Sequence, residues 1–262
     1  MSASDRPEAA GRGPLPPVCI LAGGLGTRLG WRARQTPKPL LDVAGEPFLI
    51  HQLRLLAGHG ASEVVLCVGH RGELIETRVG ESRFGLRIRY SHDGPGLDGT
   101  LGALRRARPL LGERFLVLYG DTYLRLDYGA FARSWTASGL PAAMAVLRND
   151  GRWDASNATY RDGLVVAYAK RAPAAGMRWI DYGVGALLGA ALDGVPRSER
   201  DLASLYERLA ASRRLFGFRA RARFYEIGTP AALAETDAFL RREHARRAAP
   251  PAATRRDTVE RA

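Results

Sequence analysis

The stretch Cys19-Ile-Leu-Ala-Gly-Gly-Leu-Gly-Thr-Arg-Leu-Gly30, followed shortly by Thr36-Pro-Lys-Pro-Leu-Leu41, carries the residue types that binding a polyphosphate requires. Glycines let the backbone approach a ligand closely and leave amide N–H groups free to face phosphate oxygens. Arg28 sets a permanent, fork-shaped cation beside that loop. Lys38 follows between Pro37 and Pro39, which stiffen its backbone. A glycine loop with an Arg and a Lys nearby suits a nucleoside triphosphate. It is neither of the common nucleotide loops: Gly24-Leu-Gly26 opens a dinucleotide fingerprint, but Leu29 breaks it, and no G-K-[S/T] follows. A second candidate is Gly120-Asp121, at the end of the apolar run Phe115–Tyr119. A carboxylate at the mouth of a buried strand is a ligand for Mg²⁺, which takes hard oxygens from one or two carboxylates plus substrate phosphates. An Asp that merely caps the next turn is an equal reading of the dipeptide alone.

Lysine usage sharpens this picture. Of 39 basic residues only Lys38 and Lys170 are lysines. Where arginine has replaced lysine almost everywhere, a surviving lysine marks a position where a compact ammonium is wanted over a guanidinium. Lys170 follows the apolar run Leu164–Ala169.

These residues need elements to position them. Short apolar runs at Val18–Leu21, Glu63–Val68, Leu86–Tyr90, Phe115–Tyr119, Ala142–Leu147 and Val184–Leu188 read as strands. Helical spacing at Pro47–Gly60, Gly72–Val79 and Thr100–Arg108 separates the early ones. Such alternation predicts a doubly wound, mostly parallel α/β sheet of Rossmann-like type, with ligands outside the carboxyl ends of its strands. Both Val18–Leu21 and Phe115–Tyr119 run into glycine there, so the two candidate loops fall on one edge. From about Ser134 the pattern turns β-rich: Ser156–Tyr160 and Leu164–Tyr168 flank the hairpin signal Asp162-Gly163. A helix follows at Asp201–Ser212, then a strand at Phe224–Ile227, then a helix at Pro230–Glu243 with Thr229 as N-cap and Pro230 at its first position.

With 262 residues the chain can bury one large core, so residues 17–243 read as a single domain. Residues 1–16 read as a disordered lead without a signal-peptide pattern, and residues 244–262 as a disordered basic tail. The net charge is +12, but the arginines are dispersed, not interleaved with aromatics on one helix. That excludes nucleic acid as the partner and suits polyanionic substrates. No apolar run reaches the roughly 18 residues of a membrane span. Cys19 and Cys67 both fall inside strand patterns and read as small buried hydrophobes, in keeping with a reducing cytoplasm.

The whole string A-G-G-x-G-T-R-L…T-P-K-P-L-L resembles the signature of the sugar-phosphate nucleotidylyltransferases, and the resemblance extends from about Pro17 to about Leu240. It implies nucleotide contacts at Leu21, Ala22, Gly23, Gly24, Gly26 and Thr27, and catalytic roles for Arg28, Lys38 and Lys170. It makes Gly120-Asp121 a Mg²⁺ site whose second carboxylate is Glu226, in a Glu226-Ile-Gly-Thr229 string where relatives carry Asp. Ser91–Gly102 is similar to the family's nucleobase loop, with Gly99 and Thr100 at the base and His92 an exposed turn residue. Ahead of Lys170 the family places a sugar-binding Glu; this chain has Ala169. Asp181, Tyr182 and Gly183 resemble the next sugar-side strand, with Asp181 a candidate for the missing carboxylate. The resemblance implies a nucleoside triphosphate and a sugar 1-phosphate as substrates, the compact length pointing to the short hexose- or heptose-1-phosphate subgroup and weakly to guanylyl or uridylyl transfer. Two alternatives stay open: a relative that binds NDP-sugar without turnover, and a molybdopterin nucleotidylyltransferase. So do the monomeric and homo-oligomeric states.

Overall fold

The computed structural model describes residues 14–24, 36–94 and 99–248. Its centre is a ten-stranded sheet built of β1 (Val18–Leu21), β4 (Glu63–Val68), β5 (Ser82–Arg83), β6 (Leu86–His92), β7 (Arg114–Tyr119), β9 (Ala142–Arg148), β10 (Ala158–Arg161), β11 (Leu164–Tyr168), β12 (Trp179–Leu188) and β13 (Leu215–Ala220). The strand order is β10-β11-β13-β9-β12-β7-β1-β4-β6-β5. Two small ribbons flank it: β2 (Asp42–Val43) with β3 (Glu46–Pro47), and β8 (Thr122–Tyr123) with β14 (Tyr225–Glu226).

The longest parallel stretch is β7-β1-β4-β6, and β13 also runs parallel to β9. The inner strands β7, β1 and β4 are buried on both faces, as expected of a sheet covered by helices on each side, whereas β6 alternates buried and exposed residues near the sheet's edge. Successive side chains alternate between faces. Val18 and Ile20 join a core with α1 (Phe48–Gly58), α2 (Gly72–Val79) and α4 (Tyr128–Ser138), whereas Cys19 joins the opposite core with α3 (Gly99–Leu111) and α5 (Leu202–Ala211). Both cysteines are buried as expected, and His92 is exposed. The second half adds β12, antiparallel to both β7 and β9, and the hairpin β10–β11. Its turn has φ of +47° at Asp162 and +81° at Gly163, the left-handed pair that a tight hairpin demands.

Besides the two-residue strands β2, β3, β5 and β8, two longer elements went unread in the sequence. Helix α4 is capped by Asp127, which accepts from the Ala130 amide at 2.8 Å, and it ends at Gly139. Its buried face, Tyr128, Phe131, Ala132 and Trp135, is diluted in sequence by Gly, Ser and Thr. Strand β13 contains Gly217, which weakens its strand signature; the Tyr160 ring lies where a side chain there would stand. The last helix, α6 (Pro230–Ala248), is capped by Thr229 and runs five residues past the boundary read at 243. The ring stacking of His244 on His51 ties that extra turn to α1. No helix among the described residues is long and apolar enough to cross a membrane.

Trp135 is fully buried and donates its indole N–H to the Leu140 carbonyl at 3.0 Å. Replacing it with Ala should cost about 3–5 kcal/mol of unfolding free energy, read from urea denaturation.

Candidate active site

The site begins where β7 ends. Gly120 donates its amide to the Leu21 carbonyl at 2.9 Å, locking the ends of β1 and β7 side by side. A Cβ on Gly120 would lie 2.9 Å from that carbonyl oxygen and 3.0 Å from the Ala22 Cα, so only glycine allows this approach. Asp121 is thereby presented at the sheet edge. The buried Gln52, from α1, holds the turn: its amide nitrogen donates to the Tyr119 carbonyl at 2.9 Å and the Thr122 carbonyl at 2.8 Å. The pairing of β8 with β14 sets Glu226 opposite Thr122, and the Ile227 amide donates to the Asp121 carbonyl at 3.0 Å. Glu226 itself accepts from the Gly228 amide at 2.9 Å. Lys38, in a single 3₁₀ turn (Lys38–Leu40), reaches the Asp121 carboxylate at 2.6 Å with its side chain 9% exposed. Gly228 packs against the same ammonium: a Cβ there would lie 3.4 Å from Lys38 Nζ. Two carboxylates and a nearly buried lysine thus converge from segments 83 and 105 residues apart or more along the chain. Their oxygens are the hard donors that a divalent cation takes.

Around this cluster lies a cleft of about 430 Å³. It is lined by Leu21, Ala22, Gly23 and Gly24 from the glycine turn, Lys38, Gly120 and Asp121, and Gly99 and Thr100 from the start of α3. Sequence-predicted residues from four separate segments therefore share one cavity. Gly26, Thr27 and Arg28 lie outside the described residues. Asp93, which sequence reasoning passed over, also lines the cleft; its carboxylate closes on Gly23 and Gly69, lying 2.8 Å and 3.0 Å from where their Cβ atoms would be. Nothing in the Ser91-His-Asp-Gly string distinguishes it from a turn residue.

A second cleft of about 590 Å³ adjoins the first across Gly99 and Thr100 and contains Lys170, Asp201 and Glu207. Lys170 lies over the Tyr119 ring, 5.5 Å from its centre, and so bridges the two cavities, since Tyr119 lines the first. Asp201, another residue missed in sequence, organises the junction. It caps α5 through the Ala203 amide at 3.1 Å, accepts from the Thr100 hydroxyl at 3.2 Å and faces Lys170 Nζ at 3.5 Å. Burial opposes its charged form, but the Ala203 amide, Lys170 and Thr100 outweigh that and hold its pKa below the usual aspartate value. The carboxylate of Glu207 lies 3.3 Å from the Lys170 amide.

Asp181 differs from its sequence expectation. Its carboxylate accepts from the Tyr168 hydroxyl at 3.2 Å and the Gly183 amide at 2.9 Å, and it lines neither cleft. Burial raises its pKa, partly offset by those hydrogen bonds and by Lys170. Tyr182 is 1% exposed and packs its ring on Phe224, because alternation along β12 turns it into the core. Gly183, at φ +95°, sits in the bulge of β12 against Thr122. Two carboxylates meet Lys170 from the second cleft: Asp201 faces its ammonium, and Glu207, which α5 delivers from 37 residues away, accepts from its backbone amide.

The family model of the MobA-like NTP transferase domain matches residues 18–247. Among curated relatives, the chain is 43% identical over 103 residues to a CMP-5'-(3-aminopropyl)phosphonate synthase of Streptomyces rubellomurinus, covering 39% of this chain and 16% of that protein. It is 41% identical over 124 residues to an N-acetylmuramate alpha-1-phosphate uridylyltransferase of Neisseria meningitidis, covering 47% and 53%. The chain thus matches about half or less of the length of these relatives. A crystal structure of a Bacillus anthracis protein whose proposed activity is glucose-1-phosphate thymidylyltransferase, solved with a sucrose, superposes with a TM-score of 0.77 at 19% identity, covering 87% of this chain and 95% of that one. The fold is therefore that of the nucleotide-diphospho-sugar transferases.

Gln52→Leu removes both bonds to the β7–β8 turn and strands two carbonyls; it should cost about 1–3 kcal/mol of stability, measured by chemical denaturation. Asp181 makes a pH-dependent prediction. With its pKa raised, the unfavourable burial of its charge is absent below the ordinary aspartate value of about 4 and grows as pH rises through the raised one. The unfolding free energy of Asp181→Asn should therefore improve relative to the parent between acid and neutral pH, and a difference that stays constant would contradict the assignment.

Proposed function

The chain belongs to the MobA-like NTP transferase domain family, and on that premise we propose that it transfers a nucleoside monophosphate from a nucleoside triphosphate to a sugar 1-phosphate, releasing pyrophosphate. The observation that carries this reading is the convergence of Lys38, Asp121 and the glycine turn in one cleft, with Glu226 paired alongside and a second cleft opening beside it. The named activities of the Neisseria and Bacillus proteins support a sugar 1-phosphate acceptor over a molybdopterin.

In this reading the triphosphate lies along Leu21–Gly24, whose backbone amides face its oxygens, Gly26 and Thr27 share the nucleotide contact that the signature string implies, and Gly99 and Thr100 flank the base. An oxygen of the acceptor phosphate attacks the α-phosphorus in line as the bond to the β-phosphate oxygen breaks. The nucleophile is already an anion, so alignment and charge neutralisation matter more than a general base. Asp121 and Glu226 would hold a divalent ion, which we take to be Mg²⁺; when bound it neutralises charge on the phosphates. Lys38, tethered by Asp121, faces the triphosphate. Arg28 draws charge from the departing pyrophosphate. Lys170 holds the acceptor phosphate where the two clefts meet, and Glu207 offers acceptor hydroxyls the carboxylate that Ala169 lacks. Asp181, Tyr182 and Gly183 support that wall from inside through Tyr168 and Thr122.

Pyrophosphate release, assayed with a panel of nucleoside triphosphates and sugar 1-phosphates in the presence of Mg²⁺, tests the proposal. At least one pair should turn over, and Asp121→Asn or Arg28→Ala should lower kcat by roughly 10²–10³. Tight NDP-sugar binding without release by any pair would make the protein a binding relative, and near-parental turnover in both variants would remove those residues from the mechanism.

A further inference from the structure

Away from both clefts, three side chains from distant parts of the chain bring their ligand atoms together. Glu46 of β3, His51 of α1 and His244 of α6 place one donor atom each within 4.8 Å of the others. His51 is 3% exposed and hydrogen-bonds through Nε2 to the Val43 carbonyl at 2.7 Å. A carbonyl only accepts, so Nε2 carries the proton and, in the neutral ring, Nδ1 presents a lone pair. That lone pair faces Glu46 Oε1 at 3.2 Å. Two acceptors pointed at each other across 3.2 Å leave a place for a cation.

The surroundings fit an ion. A ring nitrogen that donates to a backbone carbonyl while the other faces outward is the usual outer support of a metal-bound histidine. Arg54 grips Glu46 through both guanidinium nitrogens and fixes the carboxylate plane, while a carboxylate oxygen keeps a further lone pair for a second partner. The His244 ring stacks on His51 at 5.2 Å. Beside them lies a cavity of about 10 Å³, close to the space of one water or ion, bounded also by Tyr123, Glu243 and Arg247. The cationic Arg54 and Arg247 disfavour a weakly held ion and call for donors that bind strongly.

We propose that Glu46, His51 and His244 form a binding site for a borderline transition-metal ion of the Zn²⁺ class, which fastens α6 to α1. Two imidazoles and a carboxylate suit Zn²⁺ rather than Mg²⁺. The oxygen-only carboxylates Asp121 and Glu226, proposed above for Mg²⁺, are the reverse. The ion joins residues 46–51 to residue 244 and braces the helix whose Thr236 hydroxyl donates to the Glu226 carbonyl at 2.7 Å.

The test uses the full chain, stripped with chelator and titrated with ZnCl₂ in excess Mg²⁺. One Zn²⁺ per chain should bind, with a rise in Tm, and Co²⁺ in its place should give a visible ligand-field band without thiolate charge transfer. Glu46→Gln and His244→Gln, both at partly exposed positions, should weaken Zn²⁺ binding by roughly 100-fold, whereas Asp121→Asn should leave it intact. No uptake of Zn²⁺, uptake unchanged in both variants, loss in Asp121→Asn, or a thiolate band from Cys19 and Cys67 would each overturn the proposal. The Co²⁺ spectrum of the parent chain decides the matter even if a variant fails to fold.

Discussion

The structure turns on the close backbone contact between the ends of β1 and β7. Gly120 can sit against Leu21 and Ala22 because it lacks a Cβ, and that contact is what brings the glycine turn and Asp121 to one place. Every other component is arranged around it. Gln52 fills the carbonyls on either side of the turn, β14 pairs onto β8 to deliver Glu226, and Lys38 enters from a short rigid turn to meet Asp121 at 2.6 Å. A lysine with so little exposure needs such a partner, since an unpaired ammonium there would lose its hydration without compensation.

The same economy explains the junction between the two clefts. Asp201 is a helix cap first, and its carboxylate also takes the Thr100 hydroxyl and faces Lys170. The start of α3, the start of α5 and the segment after β11 are thereby tied to one carboxylate oxygen. Lys170 is placed where the two clefts meet by its own contacts, with Asp201 and with the Tyr119 ring. Position 169 carries no carboxylate, and Glu207, from a different element, α5, accepts from the Lys170 amide.

Much of this was legible because it is local. The glycine turn, the Gly120-Asp121 dipeptide, the Asp162-Gly163 hairpin and the Thr229-Pro230 helix start are each short strings whose chemistry demands a particular backbone, and each lies where those strings place it. Helix α4 and strand β13 were not legible, since their buried faces are interrupted by Gly, Ser and Thr and are defined only by what packs on them. Asp181 misled for a related reason: an aspartate two residues before a glycine says nothing about which side of a bulged strand its carboxylate takes, and Tyr168 and the Gly183 amide decide that.

By itself the sequence determined that a glycine turn and an aspartate stand at the ends of buried strands in an α/β sheet, and that two lysines survive where arginine is otherwise the rule. Those conclusions rest on backbone conformation and on side-chain chemistry, which are properties of a few neighbouring residues. Only the tertiary structure decided which distant groups share a cavity. Gln52, Asp93, Asp201, Glu207 and the Glu46–His51–His244 cluster acquire their meaning from partners tens to hundreds of residues away. Proximity of that kind is set by strand order and helix packing, and no spacing along the chain encodes it.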